Sequence, residues 1–96
     1  MASSKSLGYY QSGCATAKTI AELIAVDVPA ACDYVDVQVE VQACRWRDDG
    51  TAPTAAIGTL LAAGATLRVR RAQFANFKLI QVTGTALANL SLYQTG

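Results

Sequence analysis

Val35-Asp36-Val37-Gln38-Val39-Glu40-Val41-Gln42-Ala43 decides the fold: every odd position is apolar and every even position is Asp, Gln or Glu. That period of two sends the valines to one face of a β-strand and the polar groups to the other. β-Branched valine is stiff at χ1 and packs well on a pleated surface, so local preference agrees with the pattern. Upstream the stretch starts at Asp33-Tyr34. Downstream it runs into Cys44-Arg45-Trp46-Arg47-Asp48-Asp49-Gly50, a polar, turn-forming segment. One strand over 33–47 would measure about 45–50 Å, far beyond the usual ~17–20 Å. A bulge or bend near Cys44 is therefore expected, and it would explain why Trp46 has the parity of the polar residues.

Working outward, residues 19–28 fit two patterns. Ile20, Leu23 and Ile24 fit a helical face, whereas Ile20, Ile24, Val26 and Val28 fit alternation. The valines, and Pro29, which holds Val28 extended, tip the reading to a strand over 23–28. Residues 29–32 form a turn. Short strands are predicted at 57–61, 66–71 (Leu67 and Val69 inward), 77–83 and 86–93, with turns at 48–50, 62–64 and 84–85. No helix and no repeat stands out. The pattern predicts an all-β domain over 19–96, a small antiparallel β-sandwich or jelly-roll-like barrel. Residues 1–18, rich in Ser, Ala, Gly and Thr, show no period and read as an extended, flexible N-terminal arm. Its adjacent Tyr9 and Tyr10 suit docking on a neighbouring subunit.

Much of the 52% hydrophobic content is alanine, so the large apolar side chains available to a 96-residue core are few. Small domains bury a smaller share of their surface, which predicts stabilisation by neighbours in an assembly. A net charge of +1 supplies no global field for nucleic acid or an anionic membrane. No apolar run is long enough to span a bilayer, and no apolar segment of a secretory signal follows Lys5. Cys14, Cys32 and Cys44 lack CxxC spacing. They read as small buried hydrophobes, or else as partners in an intersubunit disulfide.

The chain contains no histidine. A Ser-His or Cys-His dyad cannot be built, a zinc site would need all three thiolates plus an acid, and a cupin-type metal site is excluded. No catalytic, cofactor or metal residues are therefore predicted. Asp48-Asp49-Gly50 lacks the spaced ligands of a calcium loop and reads as a turn whose aspartates pair with Arg45 or Arg47. Arg68 and Arg70 share a strand face and could line a phosphate groove. Nearby Asp36, Glu40, Asp48 and Asp49 can neutralise the arginines, and stacking aromatics are not interleaved, so an interface is favoured over nucleic acid. Trp46, between two arginines, suits an interface anchor, a sugar platform or a lid on the core.

The segment Arg45-Trp46-Arg47-Asp48-Asp49-Gly50-Thr51-Ala52-Pro53-Thr54, followed by Gly58, Leu60-Leu61 and Ala63-Gly64, resembles small structural proteins of tailed-bacteriophage virions. Val28-Pro29-Ala30 before the long strand, and Leu90-Ser91-Leu92-Tyr93 in the strand that closes the domain, extend the resemblance over about residues 20–93. Ala31-Cys32 stands where the pattern has a glycine-containing turn.

The resemblance implies a small β-sandwich on the particle, without enzymatic activity. It would be a capsid decoration (cement) protein in contact with the major capsid protein and with copies of itself, as a trimer. A tail or collar adaptor or minor tail protein is the alternative, and a host-glycan-binding module or a single-strand nucleic-acid binder lies outside that class. The virion, assembled in host cytoplasm, is the expected location. Tyr9, Tyr10, Arg45, Trp46, Arg47, Asp48, Arg68 and Arg70 are the expected interface residues.

Overall fold

The valine alternation folds as expected, but only as far as Glu40. In the computed structural model, which describes residues 4–95, the chain runs β1 (Ser4–Gly13), α1 (Ile20–Ile24), β2 (Tyr34–Glu40), β3 (Cys44–Arg47), β4 (Thr59–Leu61), β5 (Thr66–Arg70), a 3-10 turn (Arg71–Gln73), β6 (Lys78–Gln81) and β7 (Leu87–Thr95). Val35, Val37 and Val39 are fully buried. β2 is an inner strand, antiparallel to β5 on one side and β7 on the other, so that Val37 lies opposite both Leu67 and Leu90.

The expected break is real, and it changes sheets. Val41 adopts a left-handed φ of 75° and is 63% exposed. The chain leaves the four-stranded sheet, ordered β1-β7-β2-β5, and enters the three-stranded one, ordered β4-β3-β6. There the Ala43 carbonyl accepts the Val82 amide at 3.0 Å. Inward residues are odd-numbered in β2 and even-numbered in β3, where Cys44 is buried and Trp46 packs against the core. That shift of one residue accounts for the parity of Trp46.

Both sheets bury their inner faces in one apolar cluster, Val35, Val37, Leu90 and Leu92 from one side and Cys44, Leu61 and Leu79 from the other. Among the described residues this is a small, all-β, sandwich-like fold with two antiparallel sheets. The predicted strands at 57–61 and 77–83 are shorter than expected, and the terminal strand is longer. The 29–32 turn closes with a Cys32 N–H to Pro29 carbonyl bond of 3.0 Å and needs no glycine. Among the described residues no helix is long and apolar enough to cross a membrane.

Two expectations fail. The strand predicted at 23–28 is instead the short helix α1 and the loop behind it. Thr19 Oγ1 accepts the Glu22 amide at 3.2 Å while Glu22 Oε1 accepts the Thr19 amide at 2.9 Å, a reciprocal cap that outweighs the valines downstream. Ile20, Leu23 and Ile24 then fall on one buried face.

The flexible arm is the second correction. Residues 1–3 lie outside the described residues, but β1 is an edge strand paired with β7 from Ser4↔Thr95 to Gly13↔Leu87. Beyond it the Cys14 carbonyl accepts the Gln81 amide at 2.9 Å, and Lys18 exchanges two 3.0 Å backbone bonds with Leu79. A segment that cannot order itself is ordered by backbone partners from both sheets.

Candidate interaction surfaces

The Arg-Trp-Arg-Asp-Asp-Gly segment leaves the three-stranded sheet by its central strand, and its charged groups hold the loop that follows. The Arg45 guanidinium donates to the Ala55 carbonyl at 3.1 Å and to the Gly58 carbonyl at 2.9 Å. Arg47 forms a two-pronged ion pair with Asp49, whose Oδ1 also accepts the Thr51 amide at 3.2 Å. The guanidinium beside it holds the Asp49 carboxyl below the usual carboxylate range. Asp48 Oδ2 accepts from Gln73 Nε2 at 2.6 Å, tying the turn to the 3-10 segment. Farther along, Thr54 Oγ1 accepts the amides of Ala56 and Ile57 at 3.2 and 3.0 Å. Gly58 closes the loop at φ 139°, and a Cβ there would stand 3.1 Å from the Trp46 carbonyl oxygen.

Trp46 faces inward, its ring 5.9 Å from that of Phe77. With Arg47, Asp48, Asp49, Ile57, Gly58 and Thr59 it also lines an open groove of about 310 Å³. Ile57, which lines the groove from the loop before the edge strand β4, is 59% exposed, and Leu60, on β4 opposite Arg45, is 54% exposed. The expected aspartate–arginine pairing holds for Arg47, while Arg45 binds carbonyls instead. The groove combines a hydrogen-bonded loop, an exposed isoleucine and the Arg47–Asp49 ion pair.

The other expected residues lie on the opposite sheet. The pairings Tyr9↔Ser91, Ser91↔Asp36 and Asp36↔Arg68 place Tyr9 and Arg68 at the two ends of one cross-strand row on the outer face. Arg68 donates to the Asp36 carboxylate at 2.9 and 3.3 Å and lies 4.1 Å over the Tyr34 ring, which stacks on Tyr93 at 5.1 Å. Arg70, opposite Tyr34, is exposed. Tyr10 is half-buried and packs against the core, so the two tyrosines serve opposite faces.

The sequence reading thus named one surface where the fold builds two. It missed Tyr34, Tyr93, Asn89 and Gln11 on the outer face, because only strand register brings them together.

Cys14, Cys32 and Cys44 are all fully buried, with the sulfurs of Cys14 and Cys44 4.0 Å apart. The Cys14 sulfur beside it, together with burial, pushes the Cys44 thiol well above the usual thiol range. Burial keeps a partner's thiol away from all three, so the intersubunit disulfide has no route short of opening the core. Among the described residues no group of three or more His, Cys, Asp or Glu side chains is placed to hold a metal ion. Comparison with protein-family models, with curated proteins and with solved structures finds no match to this chain.

Proposed function

We propose that this chain is a structural subunit of a tailed-phage virion, a capsid decoration protein that acts through contacts with the major capsid protein and with its own copies. The observation that carries the reading is the pair of exposed apolar side chains at one sheet edge, Leu60 on the edge strand β4 and Ile57, which lines the Trp46 groove, in the loop before it. An edge strand offers unpaired backbone groups to an incoming strand, and apolar residues at its rim supply area to bury. Arg45, Arg47 and Asp49 hold the loop before binding, so little ordering entropy remains to be lost on docking. The resemblance of 45–64 to small virion proteins points the same way.

The arginine contacts weigh against the single-strand nucleic-acid reading. Arg45, Arg47 and Arg68 already have carbonyl or carboxylate partners, and a phosphate would have to displace them.

Quantitative mass spectrometry of purified particles tests the proposal. A copy number matching the shell lattice supports decoration, and a single ring's worth moves the chain to the tail or collar. Leu60→Glu and Ile57→Glu should empty the particle of this protein while leaving the fold intact, since both side chains are exposed. Undiminished occupancy in both variants, or particles that never contain the protein, would refute the reading.

A further inference from the structure

The outer face of the four-stranded sheet, remote from the Trp46 groove, carries a second organised surface. Two adjacent cross-strand rows cover it, Tyr9–Ser91–Asp36–Arg68 and Gln11–Asn89–Gln38–Thr66, with Glu40 one row beyond. All of these but Arg68, together with Tyr93, line a shallow trough of about 440 Å³. Its walls consist of amides, hydroxyls, two carboxylates and two tyrosines, with no aliphatic side chain among them.

These groups bond to one another rather than standing as separate solvated side chains. The Tyr9 hydroxyl donates to Asn89 Oδ1, and Gln11 Nε2 donates to Asn89 Oδ1 at 2.9 Å and to Glu40 Oε1 at 3.2 Å. With Asn89 Oδ1 and Gln11 Nε2 engaged, Asn89 keeps its NH₂ donors for a ligand, Gln11 its carbonyl and Glu40 its second oxygen. Donors thus neighbour acceptors, which suits a vicinal diol, whose hydroxyls both give and take a hydrogen bond. Tyr9 is anchored through its hydroxyl yet remains 60% exposed, leaving an aromatic surface against which the C–H face of a sugar ring can lie.

Charge narrows the ligand. Arg68 neutralises Asp36, and the remaining carboxylate, Glu40, repels phosphates and other anions. Apart from the tyrosine rings the lining is polar, so it favours a ligand with hydroxyls over a wholly apolar one. We infer that this trough binds a neutral saccharide, with Tyr9 as the stacking platform and Asn89, Gln11 and Glu40 bonding its hydroxyls. Trp46, the residue the sequence suggested for that role, faces Phe77 and the core instead. The inference goes beyond the structural role and rests on a different sheet, so each can fail without the other.

The test is a titration of the full chain with neutral oligosaccharides of glucose, galactose and N-acetylglucosamine, followed by amide chemical shifts. At least one sugar should move the amides around Tyr9, Gln11, Glu40 and Asn89. Tyr9→Ala and Asn89→Ala should each weaken binding about tenfold or more. Tyr9→Phe should retain part of the affinity through the ring, and Leu60→Glu should change nothing. Each variant's amide dispersion reports its folding in the same experiment. The inference is overturned if no sugar moves these amides at about 10 mM, if the shifts gather around Trp46 and Thr59, or if only inorganic phosphate or an oligonucleotide produces them.

Discussion

Replacing Gly58 by alanine tests whether the loop after β3 is the rigid scaffold that the groove requires. At φ 139° an L side chain is strained, and the new Cβ would lie 3.1 Å from the Trp46 carbonyl oxygen and Pro53 Cβ and 3.2 Å from Arg45 Cβ. None of these atoms is the free end of a flexible chain, and the carbonyl belongs to the central strand of its sheet. Strain of this kind costs about 1–3 kcal/mol, and alanine's stiffer unfolded chain offsets about 0.4–1 kcal/mol of it. If the loop shifts to relieve the contact, the charge-assisted bond from Arg45 to the Gly58 carbonyl is also lost, at about 1.5–3 kcal/mol. The expected destabilisation is therefore about 1–4 kcal/mol, a fall in melting temperature of roughly 5–25 °C for a domain of this size. Urea unfolding followed by fluorescence of Trp46, the one tryptophan in the chain, reads it directly. Gly13→Ala is the control: a Cβ there meets nothing within 4 Å, and its φ is not positive. An unchanged midpoint for Gly58→Ala, or an equal loss in the control, would show that the loop is not held as described.

Val41→Gly should stabilise the domain by about 0.5–1 kcal/mol in the same unfolding assay. A left-handed β-branched residue costs about 1–2 kcal/mol, more than glycine's extra chain entropy, and the exposed side chain packs on little; a loss of stability would contradict the strain argument. Acid should destabilise the fold, because Glu22, Asp33 and Asp49 all have carboxyl pKa values below their ordinary range. For Glu22 the cause is bonding to Thr19, for Asp33 bonding to Thr95 and for Asp49 the Arg47 partner. Their contribution is complete above the unfolded values of about 4 and is lost as pH falls through the lower folded ones. Asp33→Asn with Asp49→Asn should flatten the acid limb of a melting-temperature profile, and a wild-type profile flat below about pH 4 would count against it. A thiol reagent should leave native protein unlabelled and modify Cys14, Cys32 and Cys44 only in denaturant, since all three are fully buried. Fast labelling of one native thiol would place that cysteine at the surface.

Several elements were legible from local pattern. The burial of Val35, Val37 and Val39 followed from a period of two, and the turns at 48–50, 62–64 and 84–85 from their Asp and Gly residues. A further signal stood in the sequence and was outweighed. Thr19-Ile20-Ala21-Glu22 has the spacing of a reciprocal helix cap, and reading it ahead of Val26 and Val28 would have placed α1. β1 hid for a different reason. The register shift between Ser6 and Gly8 lets Leu7 and Tyr10, three residues apart, both pack against the core, which erases the alternation that marks a strand.

The chain by itself determined the fold class, because side-chain periodicity and turn chemistry are local properties of consecutive residues. Only the tertiary structure decided where the two proposed surfaces lie. Pairing between strands distant in sequence sets the row that joins Tyr9, Ser91, Asp36 and Arg68. It also drew the supposed arm into the sheet as β1, through backbone hydrogen bonds to β7 that no side-chain pattern announces. The left-handed turn at Val41 accompanies the passage of Trp46 and its arginines to the opposite sheet, away from Arg68 and Arg70.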